Sequence, residues 1–200
     1  MSVINAKNKS KIIGLTGGIA TGKTTVSNYL KGQGFLVFDS DETVSKLWKS
    51  NKSLQQYIKN KYQIDITKNS GKKALAELIF NNDEKKVEIE LLIHPFVFKE
   101  MDEWIKANHN ESILFLDIPL LFEISYQNKV DKTIVVYANL VNQINRLMKR
   151  NNLSKTEALS RINAQMNIED KKLKANYILD NNSTLEVLYK QIDELIKELI

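Results

Sequence analysis

The chain has 200 residues, 42% of them hydrophobic and 26% charged, with a net charge of +5 and a pI near 9.1, which suits one main soluble fold with a real core. It contains no cysteine, so disulfides and thiolate metal sites are excluded and a reducing cytoplasm is compatible with the sequence. No apolar run approaches a bilayer span, the polar stretch Met1 to Lys9 lacks the apolar core of a secretion signal, and the lysines alternate with acids, as in Lys72, Lys73, Glu77 and Asp83 to Lys86; membrane insertion and a dedicated nucleic-acid groove are therefore not expected.

Lys11 to Thr16 is a short apolar run that reads as a buried strand. Gly17-Gly18-Ile19-Ala20-Thr21-Gly22-Lys23-Thr24 then fits the phosphate-binding pattern G-x-x-x-x-G-K-[ST], and four of the seven glycines fall between Gly14 and Gly22. Thr25 to Lys31 follows as a helix with Val26, Tyr29 and Leu30 on one face. Strand, loop and helix are the context the motif needs: loop N–H groups and the helix start face an anion, Lys23 reaches the terminal phosphates, and the Thr24 hydroxyl suits an accompanying Mg²⁺.

Phe35 to Phe38 reads as a second strand, ending at Asp39-Ser40-Asp41. Ligands gather beyond the carboxyl ends of strands in open α/β sheets, so Asp39 can act on a hydroxyl or help hold Mg²⁺, while Asp41 is the favoured cap of a helix beginning near Glu42. From Glu42 to Asn110 the periodicity is helical, with Ala74 to Phe80 and Asp83 to Ile93 both amphipathic, as in an insertion that forms a substrate wall. His94-Pro95 falls inside it, and the proline predicts an extended or turn geometry for His94 between two helices; a ligand-facing imidazole and a simple helix break are equally open. His109 sits in a polar Asn-His-Asn loop and is expected to be exposed.

Ser112 to Asp117 reads as a central strand whose terminal acid reaches toward Mg²⁺, followed by Ile118-Pro119-Leu120-Leu121-Phe122-Glu123. Asn128-Lys129-Val130-Asp131 matches the guanine-reading N-K-x-D pattern, but it precedes the strand Thr133 to Tyr137 and so belongs to the opposite sheet edge. Leu140 to Arg150 is a helix with Arg146 and Arg150 on one face, and Ser154-Lys155-Thr156-Glu157 is a capping box that opens a helix through Arg161 and Gln165. All three arginines among 29 basic residues lie between Arg146 and Arg161, and the two short polar helices carrying them read as a mobile lid that clamps phosphate, with chance clustering or a structural ion pair as the alternative. Tyr177 to Asn181 is the last strand, and Leu185, Leu188, Ile192, Leu195, Ile196 and Leu199 form the stripe of a closing helix.

In order and spacing, Gly14 to Ile19 with Gly22-Lys23, Asp39-Ser40-Asp41, Leu92-Ile93-His94-Pro95, Pro119 to Glu123, Arg150, Arg161-x-x-x-Gln165 and Ile178-Leu179-Asp180-Asn181 resemble the dephospho-coenzyme A kinases, from about Lys11 to Ile196. The sequence departs from that pattern at Lys72 and Lys73, Ala175-Asn176 and Ser183. The resemblance implies a three-layer α/β P-loop NTPase fold with five parallel strands: a core of residues 1–41, 111–145 and 174–200, an acceptor-binding helical region at 42–110 and a lid at 146–173. It implies ATP and Mg²⁺ as cofactors, dephospho-coenzyme A as acceptor, a cytoplasmic monomer or weak oligomer, and neither a nucleic-acid nor a membrane partner. Gly17, Gly18, Ile19, Ala20, Thr21, Gly22, Lys23, Thr24, Thr25, Arg146 and Asn181 would bind the nucleotide, Thr24 and Asp117 the metal, and Asp39, His94, Pro95, Pro119 and Leu120 the acceptor. Asp39, Lys23 and Arg150 would carry the chemistry. Another small-molecule kinase, such as a nucleoside monophosphate kinase, and a regulatory ATPase are the rival readings.

Overall fold

The computed structural model describes residues 10–200, the side chains at 80, 81 and 83 excepted, so the polar stretch Met1 to Lys9 lies outside the described residues. Five strands, β1 (Lys11–Gly17), β2 (Leu36–Asp39), β3 (Ile113–Asp117), β4 (Lys132–Tyr137) and β5 (Tyr177–Asp180), form one sheet in the order β2-β3-β1-β4-β5. The pairs β1/β3, β1/β4 and β4/β5 are parallel, in registers that set Leu15 opposite Asp117, Gly17 opposite Val136 and Tyr137 opposite Asp180. β1 and β3 are almost wholly buried, as expected of central strands covered on both faces. The loop after β1 thus leaves the sheet where β1 separates β3 from β4, the place where α/β sheets bind ligands.

The chain divides into two compact units, one running to Phe38 and resuming at Asn108–Ile200, the other Asp39–Ala107. In the first, Ile13, Leu15, Phe115, Ile134 and Val136 of the sheet pack with Val26 and Leu30 of α1 (Lys23–Gly32) and with Leu188, Ile192, Leu195 and Leu199 of α9 (Leu185–Leu199). Leu185 departs from the expected stripe and is 48% exposed, because it opens the helix and the apolar face begins a turn later. Asp131 exchanges hydrogen bonds with Ile12, donating its N–H to the carbonyl at 2.8 Å and accepting at Oδ2 from the N–H at 2.6 Å. The N-K-x-D tetrapeptide is therefore a fastener at the amino-terminal end of β1, at the opposite end of that strand from Gly17.

The second unit holds α2 (Ser40–Ser50), α3 (Lys52–Tyr62), α4 (Asn69–Asn81) and α5 (Asp83–Ala107), with its own apolar cluster of Ile58, Ile66, Leu75 and Ile89. Here the structure corrects the reading of His94-Pro95: α5 runs unbroken through both residues, and His94 lies within the helix rather than between two helices. An interior proline costs about 3 kcal/mol, yet Ile89, Ile93, Val97 and Met101, four apart, are all buried on one face of α5, and that packing outweighs the local penalty. Pro95 and Leu91, whose carbonyl it cannot bond, are exposed, so water can serve the orphaned acceptor. Among the described residues no helix is long and apolar enough to cross a membrane.

Candidate active site

The loop between β1 and α1 is shaped by its neighbours. Gly22 sits at φ +96°, a conformation that favours glycine, and a Cβ there would collide with the Asn181 amide. At Gly18 a Cβ would stand 2.6 Å from Gln143 Nε2, so at these two positions the backbone is gripped too closely for a side chain. Four groups do the gripping. Gln143 Nε2 donates to the Ile19 carbonyl at 2.8 Å, Gln165 Oε1 accepts from the Ile19 N–H at 3.0 Å, Asn181 Nδ2 donates to the Thr21 carbonyl at 2.8 Å, and Thr21 Oγ1 donates to the Gly18 carbonyl at 2.9 Å. Among the described residues, the N–H groups of Gly22, Lys23 and Thr24 make no hydrogen bond, leaving donors at the positive end of α1 for an anion.

Lys23 Nζ pairs with Asp117 Oδ1, and Ser27 Oγ donates to Asp117 Oδ2 at 2.5 Å. Lys23 and Ser27 are four apart on α1 and so share a face, and the register puts Asp117 beside the strand that feeds the loop. The aspartate is 2% exposed, a burial that both partners make tolerable. Thr24 lies in the first turn of α1 and is exposed. Together Thr24 and Asp117 offer only oxygen ligands, a set that fits a small hard cation arriving with phosphate oxygens and waters; no group of three acidic, histidine or cysteine side chains suited to a metal occurs among the described residues.

The arginines differ from one another. Arg146 Nη2 donates to the Asn181 carbonyl at 2.7 Å and Nη1 to the Thr21 carbonyl at 3.4 Å, so it is attached to the phosphate loop. Arg150, one turn further along α6 (Leu140–Asn151), is exposed and donates from Nε to Asn151 Oδ1 at 2.9 Å. The capping box of α7 (Lys155–Asn163) is present, and α6 and α7 are not simply polar: Ile144, Leu147 and Ala158 form an apolar cluster that takes in Ile19 and Ala20 of the loop.

The turn after β3 is held from α8 (Ile168–Lys174), a helix the sequence periodicity did not announce. Lys171 Nζ donates to the Pro119 carbonyl and pairs with Glu123 Oε1, both at 2.8 Å. Burial pushes this ammonium below the usual lysine range, with Glu123 opposing. Pro119 and Leu120 themselves are half-buried.

In the helical unit, Asp39 takes the capping role that the sequence reading gave to Asp41. Its Oδ1 accepts from the Glu42 N–H at 2.9 Å, and α2 starts at Ser40, so Asp41 lies in the first turn instead. The reason is geometric: a cap needs extended backbone with its side chain reaching the third residue on, and Asp39, at φ −108° and ψ 110°, has it. Its second oxygen makes no hydrogen bond among the described residues. His94 is half-buried, stacks on Phe98 at 5.7 Å, and is held below the ordinary imidazole value by burial, with Glu90 opposing.

Thus Lys23, Thr24, Asp117, Arg146 and Asn181 converge on the loop, while Arg150 does not. Ser27, Gln143 and Lys171 were missed. Ser27 was legible as the residue one turn after Lys23, but Gln143 and Lys171 sit in polar stretches that read as solvated helix faces.

The dephospho-CoA kinase family model matches residues 11–186. A dephospho-CoA kinase of Listeria innocua is 38% identical over 197 residues, covering 95% of this chain and 98% of that protein. Among solved structures, one from Thermus thermophilus superposes with a TM-score of 0.81 at 30% identity, covering 96% of this chain and 98% of that one. A dephospho-CoA kinase from Campylobacter jejuni gives 0.69 at 28% identity, covering 94% and 96%. With the phosphate loop, its lysine–aspartate pair and the five-stranded parallel sheet beneath them, these matches make the chain a member of the dephospho-CoA kinase family.

Proposed function

We propose that this protein transfers the γ-phosphoryl group of ATP to the ribose 3′-hydroxyl of dephospho-coenzyme A, giving coenzyme A and ADP. The observation that carries the reading is the loop after β1, with N–H groups open at Gly22, Lys23 and Thr24 beside the Lys23–Asp117 pair, in a chain that matches the family from residue 11 to residue 186. Within the loop Gly17 to Thr25, the open N–H groups of Gly22, Lys23 and Thr24 receive the phosphates, Lys23 moves from Asp117 to the terminal phosphate oxygens, and Arg146 and Asn181 keep the loop in shape while lying beside the nucleotide. Thr24 and Asp117 hold Mg²⁺, which when bound neutralises charge on the phosphoryl oxygens. Arg150 brings its guanidinium to the transferring group, which gives residues 146–173 the role of a lid.

Asp39 orients the acceptor hydroxyl and accepts its proton on Oδ2, since Oδ1 is committed to the helix cap. His94, Pro95, Pro119 and Leu120 are the acceptor contacts that the family resemblance implies. The protein needs no nucleic-acid or membrane partner, works in the cytoplasm, and acts as a monomer or weak oligomer. The test is acceptor dependence. With Mg-ATP, the purified protein forms coenzyme A from dephospho-coenzyme A in preference to phosphorylating AMP, CMP or UMP; equal or better turnover of a nucleoside monophosphate, or ATP consumption that ignores the acceptor, overturns the reading.

A further inference from the structure

Among the described residues, the loop chemistry above leaves a buried cation unused. Lys171 is 0% exposed, and both of its partners are shared. The Pro119 carbonyl also accepts from Thr16 Oγ1 at 3.0 Å, on the residue before Gly17. Glu123 Oε1 also accepts from the Met166 N–H at 3.1 Å, next to Gln165, whose Oε1 takes the Ile19 N–H at 3.0 Å. One ammonium therefore joins the end of β1, the turn after Asp117 and the link between α7 and α8.

Withdrawing an ammonium and a carboxylate from water is costly, and an apolar pair of like volume is often as stable, so such a pair is weak evidence for a purely stabilising role. What an apolar pair cannot do is donate to the Pro119 carbonyl or accept from the Met166 N–H. We propose that Lys171 is a positioning residue for the nucleotide. Through Glu123 it fixes Met166 and so places Gln165 on the Ile19 N–H, and through the Pro119 carbonyl it fixes the turn that follows Asp117 at the end of β3. It touches neither substrate; it acts through the shape of the loop that binds ATP. This inference rests on the phosphoryl-transfer reading above only in naming ATP as the ligand.

Lys171→Met alone strands Glu123, whose Oε2 is already buried without a partner among the described residues, and that variant can fail to fold for this reason. The paired variant Lys171→Met/Glu123→Gln keeps the volume and removes both charges. In the full chain, calorimetric titration with Mg-ATP and Mg-ADP is expected to show at least roughly tenfold weaker binding for the paired variant, with an unfolding temperature near that of the parent. A cycle with Gln165→Ala reads the route: if Lys171 works through Gln165, the two losses in ATP affinity combine to less than their sum. Parent-like ATP affinity in the folded paired variant overturns the proposal, as do fully additive losses. Failure of the paired variant to fold overturns it too, because the pair would then be holding the fold rather than the loop. Weakened ATP binding with no turnover of dephospho-coenzyme A would sink the acceptor assignment and leave this inference standing.

Discussion

The two units place their polar groups in opposite ways. Around the phosphate loop they are buried and tied to backbone: Asp117, Gln143, Lys171 and Asn181 are each at most 5% exposed, and each bonds the loop, its lysine or the adjoining turn. In the helical unit the ion pairs sit on the surface, as with Lys46 and Glu42 or Lys99 and Glu103, over a separate apolar cluster. Surface pairs of this kind contribute about 0–1 kcal/mol, so that unit owes its stability to apolar packing, whereas the polar interior of the other fixes a shape. Substitutions should therefore cost function in one unit and stability in the other, with Asp39 as the exception that tests the rule.

The largest effect is expected at Lys23. Lys23→Met removes the charge that meets the phosphates, and kcat should fall by roughly 10³-fold, the upper scale for a single preorganised electrostatic contact; steady-state kinetics retaining a tenth of parental kcat would contradict it. Asp39→Asn comes next, with a loss of roughly 10²-fold or more in kcat while ATP binding stays nearly intact. Asparagine caps a helix as well as aspartate does, so this variant keeps α2 and isolates the chemistry. Asp41→Asn should do much less, and equal losses in both, or an unfolding temperature that falls along with activity in Asp39→Asn, would return Asp39 to a structural role.

Arg150→Lys is expected to lose on the order of tenfold in kcat with little change in the ATP dissociation constant, because the planar fork is lost and the contact belongs to the transition state. Near-normal kcat would pass the clamp to Arg146. Ile58→Ala inverts the pattern. This residue is 0% exposed in the helical cluster, and its truncation should lower stability by about 2–5 kcal/mol without changing kcat well below the transition; a kinetic defect there would break the division between the units.

The smallest effect concerns acid. Burial lowers the folded-state value of His94, so below the unfolded imidazole value of about 6.5 the unfolded chain takes up a proton that the folded chain resists, and stability falls as pH drops through that window. His94→Gln should show a shallower drop in unfolding temperature between about pH 7.5 and 5.5. Identical slopes would mean that the imidazole is accommodated in both charge states.

Much of this organisation was legible because it is local. Three central strands are continuous apolar runs, the loop is a spaced motif, and Ser154 to Glu157 is a capping box in sequence and in structure. What was hidden depends on partners far along the chain. Nothing near Lys171 marks it as buried, since Lys171-Lys172 in a seven-residue helix looks like any solvated doublet; its environment comes from Pro119 and Glu123. His94-Pro95 was misread for the same reason, because the stripe from Ile89 to Met101 overrides a local rule about proline. The choice of Asp39 over Asp41 as cap turned on a strand end at Asp39 itself, a one-residue boundary that periodicity does not resolve.

The Asn181 amide that closes against Gly22 spans 160 positions of sequence in its bond to the Thr21 carbonyl. During synthesis the phosphate motif leaves the ribosome 160 residues ahead of Asn181, the residue after β5 that sets its curvature. Contacts so distant in sequence slow folding, and a nascent chain ending before residue 177 carries the full motif without the amide that closes against Gly22. Nucleotide should therefore stabilise the finished fold more than a partial one, and chains truncated before β5 are expected to gain less protection from proteolysis by added ATP than the full chain does.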